Sequence, residues 1–185
     1  MKVFEKPGPT NTDETCRIAV ERAKAINASI VSATTEGASG VRLCEIARDM
    51  GFQGKIVFVT HAYGSFEPGE NKLSDEHRQT IVDYGATLVT AAHALSGVER
   101  GMSRKFQGVY PAEIMANTLR MLSQGIKVVV EISCMALDAG RIDYGSEVVC
   151  MGGTGRGLDT AVVMSPAHAS RIFDTKIHEI LCMPY

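Results

Sequence analysis

The chain lacks several features that would assign it to a class at once. No run approaches the roughly 18 to 20 apolar residues of a membrane span, and the N-terminus has no apolar segment of the kind found in signal peptides. No basic patch or run of like charge stands out, and the formal net charge is −2. We therefore expect a cytoplasmic protein that does not act on membranes or nucleic acid.

Paired cysteine motifs are also missing. The five cysteines are odd in number, form no Cys-x-x-Cys pair and lie mostly in apolar stretches. This pattern is typical of buried free thiols in a reducing compartment. The five histidines are far apart in the sequence and show no spacing typical of metal ligands, so we expect no metal site.

What is present is a chain of 185 residues, 45% hydrophobic and 22% charged, without low-complexity tracts or an evident linker. This predicts a single domain, residues 1–185, with a sizeable core. Helical and strand patterns alternate along it. Helices are predicted at residues 12–26, 41–50, 74–85, 111–123 and 126–139, and strands at 28–33, 55–60, 86–90, 147–151, 159–164 and 176–183.

Two stretches of the sequence have mixed patterns. Residues 126–139 contain the strand-like run Val128-Val129-Val130, but the apolar stripe and the length favour a buried helix. Residues 94–110 are interrupted by glycines and charges, and we predict a loop with one helical turn. The apolar helix pair from Pro111 to Ala139 exceeds what one subunit is expected to bury, which suggests a homo-oligomer.

Strands alternating with helices predict a mainly parallel α/β sheet covered on both faces. In such sheets ligands bind beyond the carboxyl ends of the strands, where the winding direction reverses. The fourth predicted strand is reached by a long detour through two helices, so we expect it to return beside the first. Two Gly-containing loops, Thr34–Gly40 and Gly152–Asp159, would then face each other at that edge.

Both loops have features of anion sites. Glycine lets backbone N–H groups approach an anion closely, and a helix that starts after the first loop adds its free N–H groups. Arg156 adds a forked donor suited to phosphate oxygens. Taken singly, each loop is equally compatible with an ordinary turn between two elements.

Two histidines follow strand ends at the same predicted edge. His61 and His93 would be useful there as an acid or a base, although a structural hydrogen bond is the alternative for each. The loop from His61 to Leu73 is long and polar, and loops of this length are often functional. Its aromatic residues Tyr63 and Phe66, together with His93, would cover an organic ring.

Several stretches resemble the C-terminal domain of pyruvate kinase in its free-standing form. The resemblance lies in residues 19–23, 28–31, 34–40, 46–48, 55–60 and 148–161. It implies a three-layer α/β/α sandwich whose mixed sheet is ordered 3-2-1-4-5, with strand 5 antiparallel. No catalytic barrel precedes the domain in this sequence, so we expect no pyruvate kinase activity.

The resemblance also implies a site, because in many pyruvate kinases this domain holds an allosteric sugar phosphate between these two loops. Carried over residue by residue, it predicts that one set holds the phosphate and another closes over the ligand. The first set is Thr34, Thr35, Gly37 and Ser39, and the second is Gly153, Thr154, Gly155 and Arg156. Glu36 departs from expectation, since a carboxylate in the first loop repels phosphate unless it points away.

Two functions from different classes follow. The first is a binding protein for a phosphorylated small molecule, with flavin mononucleotide (FMN), a nucleotide and a sugar phosphate as candidate ligands and Tyr63 as a further contact. The second is a small enzyme that acts on a phosphorylated substrate or through bound FMN, with His61 and His93 as acid and base. The sequence leaves open whether the protein is an enzyme.

Overall fold

A single seven-stranded sheet organises the molecule. The computed structural model describes all 185 residues. The strands are β1 (Lys2–Phe4), β2 (Ser29–Ala33), β3 (Ile56–Thr60), β4 (Thr87–Thr90), β5 (Val148–Gly152), β6 (Thr160–Ser165) and β7 (Lys176–Pro184). The helices are α1 (Thr12–Ile26), α2 (Ala38–Asp49), α3 (Asp75–Asp83), α4 (Gly97–Phe106), α5 (Pro111–Arg120) and α6 (Gln124–Asp138), with short 3-10 turns at Pro9–Asn11 and Ala169–Asp174.

The strand order is β1-β7-β6-β5-β2-β3-β4. Strands β2, β3, β4 and β5 run parallel, and β6 is antiparallel to β5. The five strands from β4 to β6 therefore have the expected 3-2-1-4-5 order with an antiparallel fifth strand, which confirms the predicted fold class. The expected return of the fourth predicted strand, β5, beside the first, β2, is also confirmed.

Two strands extend the sheet beyond that order. The strand β7 pairs antiparallel with β6, and β1 adds to β7 in parallel. The sequence predicted a strand where β7 lies, but it did not predict β1. A strand of three residues at a chain terminus has too short a pattern to be recognised, and only pairing with the far end of the chain orders it.

Both faces of the sheet are covered. In β2, Ile30 belongs to a core cluster that includes Ala19 of α1 and Leu43 of α2. The next residue, Val31, belongs to the opposite cluster with Val129 of α6. Successive side chains of a strand point to opposite faces, so a strand buried on both faces is a continuous apolar run. This explains why β2, β3 and β5 have no polar alternation.

The ambiguous stretch before Gly140 is a helix, as predicted. Helix α6 buries twelve of its fifteen residues, and Ser123 caps it by accepting a hydrogen bond from the Ile126 N–H at 3.0 Å. The Cβ of any residue at Gly125 would lie 2.0 Å from Thr160 Oγ1, so glycine is needed for the helix to approach β6 this closely. The apolar stripe identified the element correctly because the helix is central to one layer.

The prediction for residues 94–110 was wrong in extent. Most of this stretch is helix α4, which begins at Gly97 and ends at Phe106. It is tied to α5 by two carboxylates: Glu99 accepts a hydrogen bond from the Ala112 N–H at 2.8 Å, and Glu113 accepts one from the Ser103 hydroxyl at 2.7 Å. These contacts between helices stabilise a segment whose own glycines disfavour a helix.

None of the helices has the combination of length and apolar composition needed to cross a lipid bilayer. All five cysteines are buried free thiols, as their positions in apolar stretches indicated. Burial raises the pKa of Cys16 and of Cys44 to about 12, so these thiols stay protonated and unreactive at neutral pH.

Candidate functional site

A cleft of about 940 Å³ lies beyond the carboxyl ends of β2, β3 and β4. Helices α4 and α6 and the two Gly-containing loops complete its walls. This volume is within the range of small-molecule sites in proteins. The lining includes Thr34, Thr35, Gly37, Ser39, Tyr63, Gly153, Gly155 and Arg156, together with both candidate histidines, His61 and His93.

The structure thus brings together all the sequence-predicted site residues except Thr154, which is not among the lining residues. The Thr154 N–H instead donates a hydrogen bond to the Asp159 carboxylate at 3.1 Å. Thr154 therefore holds the second loop in shape through its backbone N–H and is not part of the cleft lining.

The first loop depends on Gly37. This residue has a φ of 107°, and a Cβ there would lie 2.2 Å from the Cβ of His77 in α3. Both facts require glycine. Gly37 is the N-cap of α2 and offers no side-chain hydrogen bond, so the first N–H groups of the helix lack a side-chain partner. These groups and the helix dipole favour an anion at this end of the cleft.

The hydroxyl of Thr34 lies beside the start of α2. Thr34 is 3% exposed, and its Oγ1 is the one buried side-chain nitrogen or oxygen in the protein without a hydrogen-bond partner. An unpaired buried hydroxyl costs free energy, and such groups are rare in folded proteins. The hydroxyl therefore has no partner within the protein, and Thr34 is among the residues that line the cleft.

The second loop is held by Asp159, a residue that the sequence analysis missed. Its fully buried carboxylate accepts hydrogen bonds from the Gly8 N–H at 3.0 Å, the Thr154 N–H at 3.1 Å and the Thr160 hydroxyl at 2.9 Å. The Leu158 N–H donates to Thr12 Oγ1 at 3.1 Å. The Gly-rich loop is thus fixed from inside, and its outer edge remains free to meet a ligand.

One ion pair joins the two loops across the mouth of the cleft. The Arg156 guanidinium donates to the Glu36 carboxylate at 3.2 Å. The Glu36 carboxylate, which would repel a phosphate if unpaired, is therefore compensated by an arginine of the second loop. The Arg156 side chain is 79% exposed, so this pair contributes little to stability and is free to rearrange.

The cleft is strongly basic although the chain as a whole is slightly acidic. Six basic and two acidic side chains line it, a formal excess of four positive charges. Both acidic groups are paired, Glu36 with Arg156 and Glu131 with Lys127. The basic residues are Lys72, Arg100, Arg104, Arg120, Lys127 and Arg156. Such a concentration of one charge in a concave site favours an anionic ligand.

The two candidate histidines are in direct contact. His61 follows β3, His93 follows β4, and the two strands are parallel neighbours, so both side chains come to the same edge. His61 Nδ1 lies 3.1 Å from His93 Nε2, which is hydrogen-bond distance. On its other side, His93 Nδ1 lies 3.3 Å from Glu131 Oε2.

Glu131, a residue of α6, extends this series of contacting side chains into the core. Its Oε2 also accepts from the Lys127 ammonium, and its Oε1 accepts from the Leu95 N–H at 2.9 Å. The pair of Lys127 and Glu131 was not predicted from the sequence, although the sequence contains one sign of it. Lys127 and Glu131 are opposite charges four residues apart on an otherwise apolar helix, a spacing that places them side by side.

Burial and charge act in opposite directions on the pKa of Glu131. Burial favours the neutral acid, but the hydrogen bond from His93 and the Lys127 charge prevail and lower the pKa of Glu131 to about 2. Burial lowers the pKa of Lys127, against the opposing effect of Glu131. Burial also lowers the pKa of His61, and the neighbouring His93 lowers it further. At neutral pH, Glu131 is ionised and His61 is uncharged.

Aromatic side chains lie at the rim of the cleft near His61. The Phe66 ring meets the His61 ring edge-on with centroids 5.1 Å apart, and the Lys72 ammonium lies 4.0 Å from the Phe66 ring centroid. Tyr63 is 61% exposed.

No group of three or more His, Cys, Asp or Glu side chains in the structure is placed to bind a metal ion.

Residues 13–164 match the family described as pyruvate kinase, alpha/beta domain. The chain belongs to this family. Every residue that lines the cleft lies inside the matched range of the pyruvate kinase alpha/beta domain, whereas β1 and β7 lie outside it. The residues that carried the resemblance in the sequence are part of this match.

Solved structures show weaker likenesses to this alpha/beta domain. An O-ureido-L-serine synthase is 21% identical, with a TM-score of 0.32, over 60% of this chain and 35% of that one. A hydrogen sulfide-producing enzyme from Fusobacterium nucleatum is 17% identical, with a TM-score of 0.30, over 69% of this chain and 42% of that one. The chain thus spans less than half the length of either protein.

Proposed function

We propose that this pyruvate kinase alpha/beta domain binds a phosphorylated small molecule in the cleft. The phosphate would lie between the start of α2 and the Gly153–Arg156 edge of the second loop. The observation that carries the proposal is the combination of N–H groups without a side-chain cap, the unpaired Thr34 hydroxyl and an excess of four positive charges in one cleft. Each of these features favours an anion with several oxygens.

The rest of the ligand would extend from the phosphate toward His61 and the aromatic rim. FMN, a nucleotide and a sugar phosphate each carry phosphate on an organic body. FMN fits the residues present, because Tyr63 and Phe66 offer exposed aromatic surface for its ring system. A nucleotide base would use the same surface, whereas a sugar phosphate would rely on polar contacts.

The experiment is a visible absorption spectrum, with native mass, of protein purified without added ligand. A flavin spectrum and a mass increment equal to FMN would support that ligand directly. A colourless protein would count against bound FMN. Nucleotides and sugar phosphates would then be screened by thermal shift. If no phosphorylated compound stabilised the protein, the proposal would be wrong.

A second candidate function is an enzyme in which His61 and His93 act as acid and base on the bound ligand. The observation that favours it is the hydrogen-bonded sequence His61, His93, Glu131 at the cleft wall. A binding site alone does not need two linked imidazoles on a buried carboxylate. Replacing either histidine by alanine would then reduce the turnover of a substrate much more than its binding.

We also propose a homo-oligomer assembled through the α4–α5 face. Apolar side chains that a monomer would normally bury are exposed there. The most exposed are Val98, Phe106, Val109, Ile114, Met121 and Leu122. Light scattering after size exclusion would give the mass, and a monomer at high micromolar concentration would contradict this proposal.

A further inference from the structure

The linked side chains at the cleft wall determine where their protons lie. Glu131 is 3% exposed, and both of its oxygens already accept hydrogen bonds. Oε1 accepts from the Leu95 N–H, and Oε2 accepts from the Lys127 ammonium. His93 Nδ1, 3.3 Å from Oε2, therefore faces an acceptor that has no proton to give.

The positions of the remaining protons follow from this contact. A neutral imidazole has one N–H and one acceptor nitrogen. If His93 Nδ1 carries the proton, His93 Nε2 is the acceptor. The atom that faces it, His61 Nδ1 at 3.1 Å, must then be the donor. His61 Nε2 is left without a hydrogen, and His61 lines the cleft.

We propose that His61 Nε2 is the proton-accepting atom of this cleft, and that Glu131 is the positioning residue that makes it so. The ligand group next to His61 would then be a donor, an O–H or N–H. When Nε2 accepts a proton, the Nδ1–H bond of His61 breaks and its proton forms the Nε2–H bond of His93. The positive charge finally lies on His93, beside the Glu131 carboxylate, and His61 is neutral again.

The surrounding charges disfavour a positive charge on His61. Lys127 and Glu131 compensate each other on α6. Further cations face the region from α4, from α5 and from the loop after β3, namely Arg100, Arg120 and Lys72. Lys72 and Lys127 oppose a positive charge on His61, which favours passing the accepted proton on to His93, beside Glu131.

The positions of these protons are a property of the protein without ligand, so their test does not depend on phosphate binding. The first test is two-bond ¹H–¹⁵N correlation on protein labelled at the histidine nitrogens, at pH about 8, where an unperturbed imidazole is neutral. We expect the proton on Nδ1 in both His93 and His61, with both Nε2 atoms unprotonated. The opposite tautomer in either residue would overturn the proposal.

A variant should reverse the order. In the double variant Lys127→Met/Glu131→Gln, the amide oxygen must stay toward the Leu95 N–H, and no ammonium competes for it. The amide NH₂ then donates to His93 Nδ1. His93 Nε2 becomes protonated and donates to His61 Nδ1, so the proton of His61 moves to Nε2. Unchanged tautomers in a folded double variant would contradict the positioning role of Glu131.

Two controls accompany this variant. Glu113→Gln makes the same chemical change at a carboxylate that contacts α4 and not the histidines, and it should leave both tautomers as in the wild type. If the double variant does not fold, His93→Leu serves instead, because it removes the acceptor for His61 Nδ1. His61 should then show the mixed tautomers of a free imidazole, and a pure Nδ1–H form would contradict the relay.

Discussion

The Arg156 guanidinium lies 3.2 Å from the Glu36 carboxylate and joins the two loops that flank the proposed phosphate position. The two residues are 120 positions apart in the chain, and the pairing of β2 with β5 brings them together. An exposed pair of this kind is easily exchanged for a stronger partner. If the proposed phosphate binds between the loops, we expect it to displace the Glu36 carboxylate from Arg156.

The first prediction concerns this pair. Arg156→Ala should weaken binding of a phosphorylated ligand about tenfold, since a hydrogen bond to a charged group contributes roughly 1.5 kcal/mol or more. Glu36→Gln should strengthen binding, because it removes the competing carboxylate. Calorimetric titration measures both changes, and unchanged thermal unfolding checks that the loops remain folded. Equal affinity in all three proteins would argue against a phosphate between the loops.

The second prediction concerns the support of the Gly-rich loop. Asp159→Ala leaves the buried N–H group of Gly8 and the half-buried N–H group of Thr154 without their acceptor. Each buried unsatisfied group costs about 1 to 3 kcal/mol, so the free energy of unfolding should fall by several kcal/mol. Urea denaturation measures the loss. Asp174→Ala, which breaks only an exposed pair with Arg171, should change it by less than about 0.5 kcal/mol.

The third prediction concerns the start of α2. Gly37 and Gly145 both have positive φ, at 107° and 83°. A Cβ at Gly145 meets nothing within 4 Å, whereas a Cβ at Gly37 would overlap the His77 side chain. Gly145→Ala should therefore cost about 1 kcal/mol of backbone strain, and Gly37→Ala clearly more. Similar losses in urea denaturation would show that α3 does not press on the loop as described.

The strands, the return of β5 beside β2 and the pairing of the two loops were predictable from the sequence for physical reasons, whereas the full order of the sheet followed from the family resemblance. The strands are buried on both faces, so they are continuous apolar runs that are easily recognised. His61 and His93 each follow such a run, and parallel neighbouring strands end at one edge. Their position at one edge of the sheet was therefore predictable, and the structure adds their direct contact.

Other parts of the site could not be predicted because they depend on packing between distant segments. Asp159 has an ordinary place in the sequence, and only its burial against Gly8 reveals its role. Lys127 and Glu131 lie on a helix whose apolar stripe is its dominant pattern, and only the packing of α6 against the segment with His93 and Leu95 gives the two charges their role. Helix α4 forms because Glu99 and Glu113 tie it to α5, a contact that no local pattern records.

The fourth prediction is a dependence of stability on pH. His61 has a lowered pKa, so below about 6.5 the unfolded chain binds more protons at this residue than the folded protein does. Stability should therefore fall as the pH drops from about 6.5 toward the folded pKa of His61. Urea denaturation between pH 5 and 8 measures this, and His61→Gln should flatten the dependence. An equal slope in the variant would assign it to other groups.

A second and more acidic transition should come from Glu131. The pKa of Glu131 is lowered to about 2. The ionised carboxylate therefore stabilises the fold at pH values above 4.5, the ordinary pKa of a glutamate side chain. That contribution should disappear as the pH falls from about 4.5 toward 2. Acid unfolding followed by circular dichroism measures it. In the Lys127→Met/Glu131→Gln variant the transition should be smaller, and a transition of undiminished size would contradict the assignment.

Titration of the purified protein with matched pairs of ligands tests the central claim most directly. Each pair differs only in the phosphate: FMN against riboflavin, and a nucleotide against its nucleoside. The account predicts that at least one phosphorylated member binds, that its partner without phosphate binds at least tenfold more weakly, and that Arg156→Ala narrows the difference. Equal binding of both members, or binding of neither in any pair, including sugar phosphates against free sugars, would contradict it.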